Sequence, residues 1–230
     1  MPRTIIVGDL HGCRQELGDL LSYVGFSRGD RLVSVGDVVV RGPDPHGTVA
    51  LLRQKEARAV RGNHEDRLFA LRDARRKELH ASIGGATKRA ARELRPRDWA
   101  WLEGLPLWLD LPEHNVRIVH AGLVPGVPMD EQDPRNLLYM RSLGDRNEPL
   151  EERGAPSWAH RYEGPMHVVF GHYAKPEPEI ARFATGIDTG VVYGGRLTAM
   201  VLRDGETPPP PEQRRSVLVS VPARRVWVAR

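Results

Sequence analysis

TIIVGDLHGC, residues 4–13, carries the pattern that organises the whole chain. A short apolar run of strand-forming residues ends at Gly8, and Asp9 and His11 follow at once. The layout returns four times. RLVSV (31–35) precedes Gly36-Asp37, and ARAV (57–60) leads through Gly62 to Asn63-His64. NVRIV (115–119) precedes His120, and HVVF (167–170) precedes Gly171-His172. Runs of this length read as buried strands. Strands of an open α/β sheet end at one rim, and functional groups gather on the loops leaving it. The polar residues of the five blocks, far apart in the chain, are therefore expected to converge in space. Gly8, Gly36, Gly62 and Gly171 stand where the backbone has to turn sharply or approach a ligand closely.

The collected side chains are carboxylate, carboxamide and imidazole. The only cysteine, Cys13, takes no part. Such a mixed oxygen and nitrogen set suits Mn, Co, Fe or Zn better than Mg or Ca, which favour all-oxygen shells. The count is enough for two divalent ions. Asp9, His11 and Asp37 could hold one, and Asp37, Asn63, His120 and His172 the other, with Asp37 as the bridge. Two ions roughly 3.5–4 Å apart can activate a water and steady both oxygens of an in-line displacement. Mn is the expected metal.

These blocks resemble the phosphoprotein phosphatase type of metallophosphoesterase. The family pattern GDxHG, GDxxxRG, GNHE, HxG and GH stands here as Gly8-Asp9-Leu10-His11-Gly12, Gly36-Asp37 through Arg41-Gly42, Gly62-Asn63-His64-Glu65, His120-Ala121-Gly122 and Gly171-His172. The resemblance spans roughly residues 3–203. It implies an α/β (α+β) fold, the four-layer calcineurin-like β-sandwich flanked by helices, and the metal assignment just given. It also implies that Arg41 clamps a phosphoryl group and that His64 protonates the leaving oxygen.

Two departures narrow the expectation. The protein phosphatases carry a second Asp, which orients the catalytic His, where this chain has Val40, and usually HGG where it has His120-Ala121-Gly122. Residues 120–134, 139–143 and 186–200 are similar to the branch around the symmetrical diadenosine tetraphosphatases. Substrates there contain phosphoanhydride bonds: dinucleoside polyphosphates, capped RNA ends, polyphosphate. The expected reaction is therefore cleavage of diadenosine tetraphosphate to two ADP. A Ser/Thr protein phosphatase and a catalytically silent metal-binding scaffold are the alternatives. Val40 fits the first reading, because a nucleotide leaving group needs less proton help from His64 than an alkoxide does.

Composition sets the frame. The 230 residues, 40% hydrophobic, fit one domain over 1–230 with a helical cap segment roughly 72–104. No run of 18 apolar residues and no secretory signal pattern is present, so the protein is expected to be soluble, cytoplasmic and without a membrane partner. One cysteine excludes an internal disulfide. The net charge of +4 is uneven: residues 72–97 hold nine Lys or Arg against three acidic residues. A positive region beside a phosphate site would concentrate a polyanionic substrate. Aromatic residues do not interleave it, so no dedicated nucleic-acid binding is expected.

Arg141 and Tyr193 are further candidate substrate contacts. Glu65 reads as structural; Asp188 in GIDTG could bind through its carboxylate or simply close a turn with Gly190, and it stays outside the candidate set. His46, His80, His114, His160 and His167 read as structural or surface groups. Helices are expected over 13–24, 46–55, from His64 onward, 85–95 and 97–103, and near 134–142 in the long loop 122–165. Trp99, Trp101 and Trp108 are expected to pack the cap. The second half should be rich in strands, near 106–110, 115–119, 167–170, 185–188, 197–202, 216–221 and 224–228, with polyproline-II geometry at 208–211.

Overall fold

Alternation in the first strand builds two layers at once. In β1 (Arg3–Val7), Ile5 and Val7 face one side of the sheet and Ile6 the other, and all three are fully buried. The computed structural model describes residues 2–73, 84–152 and 156–229. Sheet one also contains β2 (Arg31–Ser34), β3 (Arg58–Ala59), β11 (Arg196–Arg203) and β12 (Leu218–Pro222). Its order is β12-β11-β1-β2-β3, with β1, β2 and β3 parallel and β11 antiparallel to β1. Sheet two has β4 (Trp108–Leu111), β5 (Val116–Val119), β8 (His167–Phe170), β9 (Glu179–Ile180) and β10 (Ala184–Gly186), in the order β4-β5-β8-β10-β9.

Ile6, Val33 and Met200 of sheet one meet Ile118 and Val169 of sheet two in a core between the sheets. The outer face of sheet one is covered by α1 (Arg14–Tyr23) and α2 (Pro45–Gln54) through Leu17, Leu20, Val49 and Leu52. Asp44 starts α2 by accepting the Gly47 N–H at 2.7 Å, and Pro45 fits its first turn. The outer layer of sheet two is less regular. It is made from α6 (Pro134–Tyr139), the hairpin of β6 (Ser142–Leu143) and β7 (Pro149–Leu150), and a 3-10 turn at Trp158–His160. Trp158 fills that layer beside Phe170 and Tyr162 and donates its indole N–H to the Ala121 carbonyl at 3.0 Å.

α3 (Asn63–Asp73) follows β3, and α4 (Gly85–Glu93) and α5 (Pro96–Glu103) pack against α2 and α3. The fully buried Asp98 ties α5 to α2 by accepting from His46, at 2.6 Å, and from Arg53. Within the described part of the expected cap, Trp99 and Trp101 lean on the outer core of sheet one. Trp108 does not belong with them: it starts β4 opposite Val119, because the chain has by then crossed to sheet two. Arg75, Arg76 and Lys77 of the basic segment, and His80, lie outside the described residues.

Another expectation fails. Residues 224–228 form a strap, not a strand. The Trp227 indole N–H and the Arg224 backbone N–H both donate to Glu16, at 2.8 and 3.2 Å, and the N–H groups of Trp227 and Val228 donate to the Val192 carbonyl. The partners that the segment finds on α1 and on the Val191–Tyr193 turn replace a ladder beside β12.

After the prolines, a 3-10 turn at Pro211–Val217 turns Arg214 inward until it is fully buried. Its guanidinium donates to Thr185 at 2.6 Å and to the His167 Nε2 at 2.8 Å. Burial and the Arg214 charge hold His167 neutral, with its pKa lowered to about 3. The unfolded chain then binds the extra proton between about pH 6.5 and 3, so stability falls as pH falls through that window. At pH 5 this amounts to about 2 kcal/mol relative to neutral pH. Denaturant titrations at pH 7 and 5 should therefore give a shallower loss for His167→Gln than for the wild type, whatever the absolute stability of the variant. Identical losses would mean that folding does not lower the His167 pKa.

Candidate active site

The five blocks do converge. Asp9 and His11 leave β1, Asp37 leaves β2, Asn63 and His64 open α3 after β3, and His120 and His172 follow β5 and β8. Asp37 is the centre. Its Oδ1 accepts the His64 backbone N–H at 3.0 Å and lies 3.5 Å from the His120 Nε2. Its Oδ2 lies 3.7 Å from the His11 Nε2 and 4.0 Å from the His64 Nε2. Two groups of ligating atoms follow, each drawn together within 4.8 Å: His11, Asp37 and His64, and Asp37, His120 and His172. Asp37 is common to both. Asp9 falls outside the two groups; its carboxylate accepts the His172 backbone N–H with both oxygens at 3.1 Å.

The loops that hold these groups are strained. His11, Asp37, Val40, Arg41 and His172 all take left-handed backbone angles, with φ between 46° and 70°. That is uncommon for residues other than glycine and a true outlier for Val40. Of the four glycines singled out in the sequence, Gly36 alone has positive φ. The others serve close approach: a Cβ on Gly171 would land on the Asp9 carboxylate, and one on Gly62 on Asp37. Glu65 stitches the loops, its two oxygens accepting the N–H groups of Val39 and Gly62 at 3.1 and 2.9 Å.

Tautomers can be assigned from the partners. A carbonyl only accepts, so the His120 Nδ1 donates to Val35 at 3.0 Å, and the His172 Nε2 to Tyr139 at 3.2 Å. Their other ring nitrogens, both lone pairs, face the Asn63 Oδ1 at 3.1 Å each. Arg41 only donates, so the His11 Nε2 is a lone pair as well, accepting at 3.1 Å. Protonation does not relieve the crowd. Burial lowers the pKa of His11, His64 and His172 well below the imidazole range and that of His120 to about 4. Burial raises the carboxyls instead: Asp9 well above its usual range, Asp37 and Asp188 to about 6, Glu65 to about 7. Lone pairs without protons and desolvated carboxylates make one demand, a cation among them. The residues fit divalent metal ions.

The cavity at these atoms, about 60 Å³, is lined by Asp37, Asn63, His64 and His172 together with Arg41, Arg67, Arg141, Asp188 and Tyr193. Arg41 lies over the Tyr193 ring, 5.5 Å from its centroid. The two candidate contacts Arg141 and Tyr193 thus reach the cavity. Asp188, which the sequence left between binding and turn closure, belongs to it too, as does Arg67, which was not anticipated. Asp188 does close the expected turn, accepting the Gly190 N–H at 3.0 Å, but it also follows the end of β10 as the other polar residues follow their strands. The described histidines read as structural are so placed: His114 bonds Thr4, His160 faces Glu179, His46 bonds Asp98 and His167 accepts from Arg214.

Comparison with known proteins agrees with this geometry. Residues 2–204 match the calcineurin-like phosphoesterase family. The chain belongs to that family. It is a metal-dependent hydrolase of phosphoester or phosphoanhydride bonds, with the family's fold. A protein of Oceanobacillus iheyensis named bis(5'-nucleosyl)-tetraphosphatase PrpE [asymmetrical] is 30% identical to it, over 97% of this chain and 94% of the relative. A protein of the same name from Geobacillus sp. (strain WCH70) is 31% identical over 88% of this chain and 91% of the relative. A crystal structure of a protein provisionally named a diadenosine tetraphosphatase superposes with a TM-score of 0.81 at 37% identity, covering 96% of this chain and 93% of that one. No helix among the described residues is long and apolar enough to cross a membrane.

Proposed function

We propose that this calcineurin-like phosphoesterase cleaves a phosphoanhydride bond in dinucleoside polyphosphates such as diadenosine tetraphosphate, with two divalent transition-metal ions, Mn first among them. The observation that carries the substrate class is the near full-length likeness to proteins named for that reaction. His64 supports it. Its Nδ1 is buried without a hydrogen-bond partner among the described residues, and Val40, packed in the apolar core, offers it no carboxylate. An imidazole so placed is a weak proton donor, adequate for a nucleotide leaving group and poor for a serine alkoxide. The protein phosphatase reading loses ground for that reason. Bound at Asp9, His11, Asp37, Asn63, His120 and His172, the ions would lower the pKa of a water and draw charge from the phosphoryl oxygens. Arg41 grips the phosphoryl group with its guanidinium fork, Arg141 offers a second donor, and Tyr193 holds Arg41 in place. A capped RNA end presents the same anhydride and is the natural second substrate to try.

The sequence led to the expectation of two ADP. The relatives' names point to the other register, and a shift of one phosphate is all that separates the two. We therefore expect ATP and AMP as the initial products. Chromatography of an early time point, in a panel with Mn, Co, Zn and Mg, decides it. ADP as the main initial product would restore the symmetrical assignment, and phosphopeptide turnover without nucleotide cleavage would reject the substrate class.

A further inference from the structure

Three guanidiniums ring the cavity, and each lies over a tyrosine. Arg41 sits 5.5 Å from the centroid of Tyr193, Arg67 5.6 Å from that of Tyr139 and Arg141 5.9 Å from that of Tyr173. Aromatic faces favour a cation and limit its freedom, so the charges are held ready along the cavity lining. Arg67 is the unexplained one. It stands one helical turn beyond His64 on α3, which brings it to the same face. Its platform, Tyr139, is fixed twice: the hydroxyl donates to Asp66 at 2.9 Å, and the carbonyl accepts from His172. Other arginines nearby are neutralised, Arg72 by Asp73 and Glu103 and Arg135 by Glu151. No ion pair among the described residues includes Arg67, and it lines the cavity as an exposed residue where Arg41 and Arg141 are half-buried.

We propose that Arg67 is a specificity-determining contact for the phosphates next to the one attacked, so that the site selects a chain of phosphates over a single phosphoryl group. The inference rests on the phosphohydrolase reading of the cavity and extends it. A lone phosphoryl group at the centre already has Arg41 and Arg141. A third fork, the exposed one of the three and in no ion pair among the described residues, matches an anion that extends outward, and phosphate oxygens suit the guanidinium geometry.

The test compares wild type, Arg67→Ala, Arg67→Lys and Arg135→Ala at fixed free Mn. The substrates are diadenosine tetraphosphate and p-nitrophenyl phosphate. Orthophosphate and tripolyphosphate are inhibitors of the second. Arg67→Ala should lower the ratio of kcat/KM for the tetraphosphate to that for the monoester about tenfold, chiefly through KM. It should lower the preference for tripolyphosphate over orthophosphate by a similar factor. Arg67→Lys should recover part of both. Arg135→Ala removes an equal charge beside the same ring, at 5.3 Å, but not at the cavity, and should leave both ratios in place. Equal losses on the two substrates, no loss, or the same effect from Arg135→Ala would overturn the assignment. If the wild type does not cleave the tetraphosphate, the nucleotide reading fails alone. The inhibitor ratio then still decides the role of Arg67.

Discussion

Asp37→Asn should abolish turnover and empty the site of metal while leaving the fold intact. The Asn amide oxygen can still accept the His64 N–H that Asp37 Oδ1 accepts at 3.0 Å, so the loop keeps its anchor. What disappears is the negative charge shared between the His11–His64 group and the His120–His172 group. Two cations then face one another with less to offset their repulsion. Changes behind metal ligands cost about 10–100-fold in affinity or activity, and loss of a shared ligand should exceed that, to a thousandfold or more. The apo protein should respond in the opposite sense. Burial raises the Asp37 pKa to about 6, so its charge opposes folding above that pH when no cation is present. Chelator-treated Asp37→Asn should thus melt at or above chelator-treated wild type at pH 7.5, and the order should reverse with excess Mn. Metal analysis with two melting series is sufficient. Two retained ions with wild-type turnover would show that Asp37 is not the shared ligand.

The residues that the sequence revealed and those that it hid differ in how local their signals are. Asp9, Asp37 and His172 could be read because strand, glycine and ligand are contiguous, and parallel strands bring their ends to one rim without further information. Arg67 has no such local mark. An arginine in the second turn of a helix is ordinary until Tyr139, 72 positions later, is placed under it. Asp188 was undecidable from the sequence because turn chemistry alone explains Asp-Thr-Gly, while one oxygen that closes a turn still lets the carboxyl group charge a cavity. The strap at 224–228 has the apolar residues of a strand. Its conformation is set by Glu16, 211 positions away from Trp227. The left-handed Val40 was equally silent, because β-branched residues resist that conformation and only the surrounding loop contacts impose it.

Gly62→Ala should be nearly as damaging as the loss of Asp37, although it removes no functional group. The added Cβ would fall on the Asp37 Oδ1 and the Asp37 backbone nitrogen, and 2.8 Å from the Glu65 Oε2. The backbone there has no freedom to retreat: the Asp37 carbonyl accepts the N–H groups of Leu10 and His11 at 3.2 and 2.7 Å. The carboxylate must therefore swing away from His64 and out of both ligand groups, or the Gly62 N–H must break from Glu65. Overpacking of this kind costs about 1–3 kcal/mol in stability. The effect on metal occupancy and turnover should be larger, on the order of a hundredfold, because a displaced ligand is close to an absent one. Gly18→Ala is the matched control. Nothing lies within 4 Å of its Cβ position, it sits inside α1, and it should gain about 0.5–1 kcal/mol. Metal titration of Gly62→Ala beside that control separates a general loss of stability from a displaced Asp37. Wild-type Mn affinity and turnover in Gly62→Ala would mean that the site does not depend on this close approach.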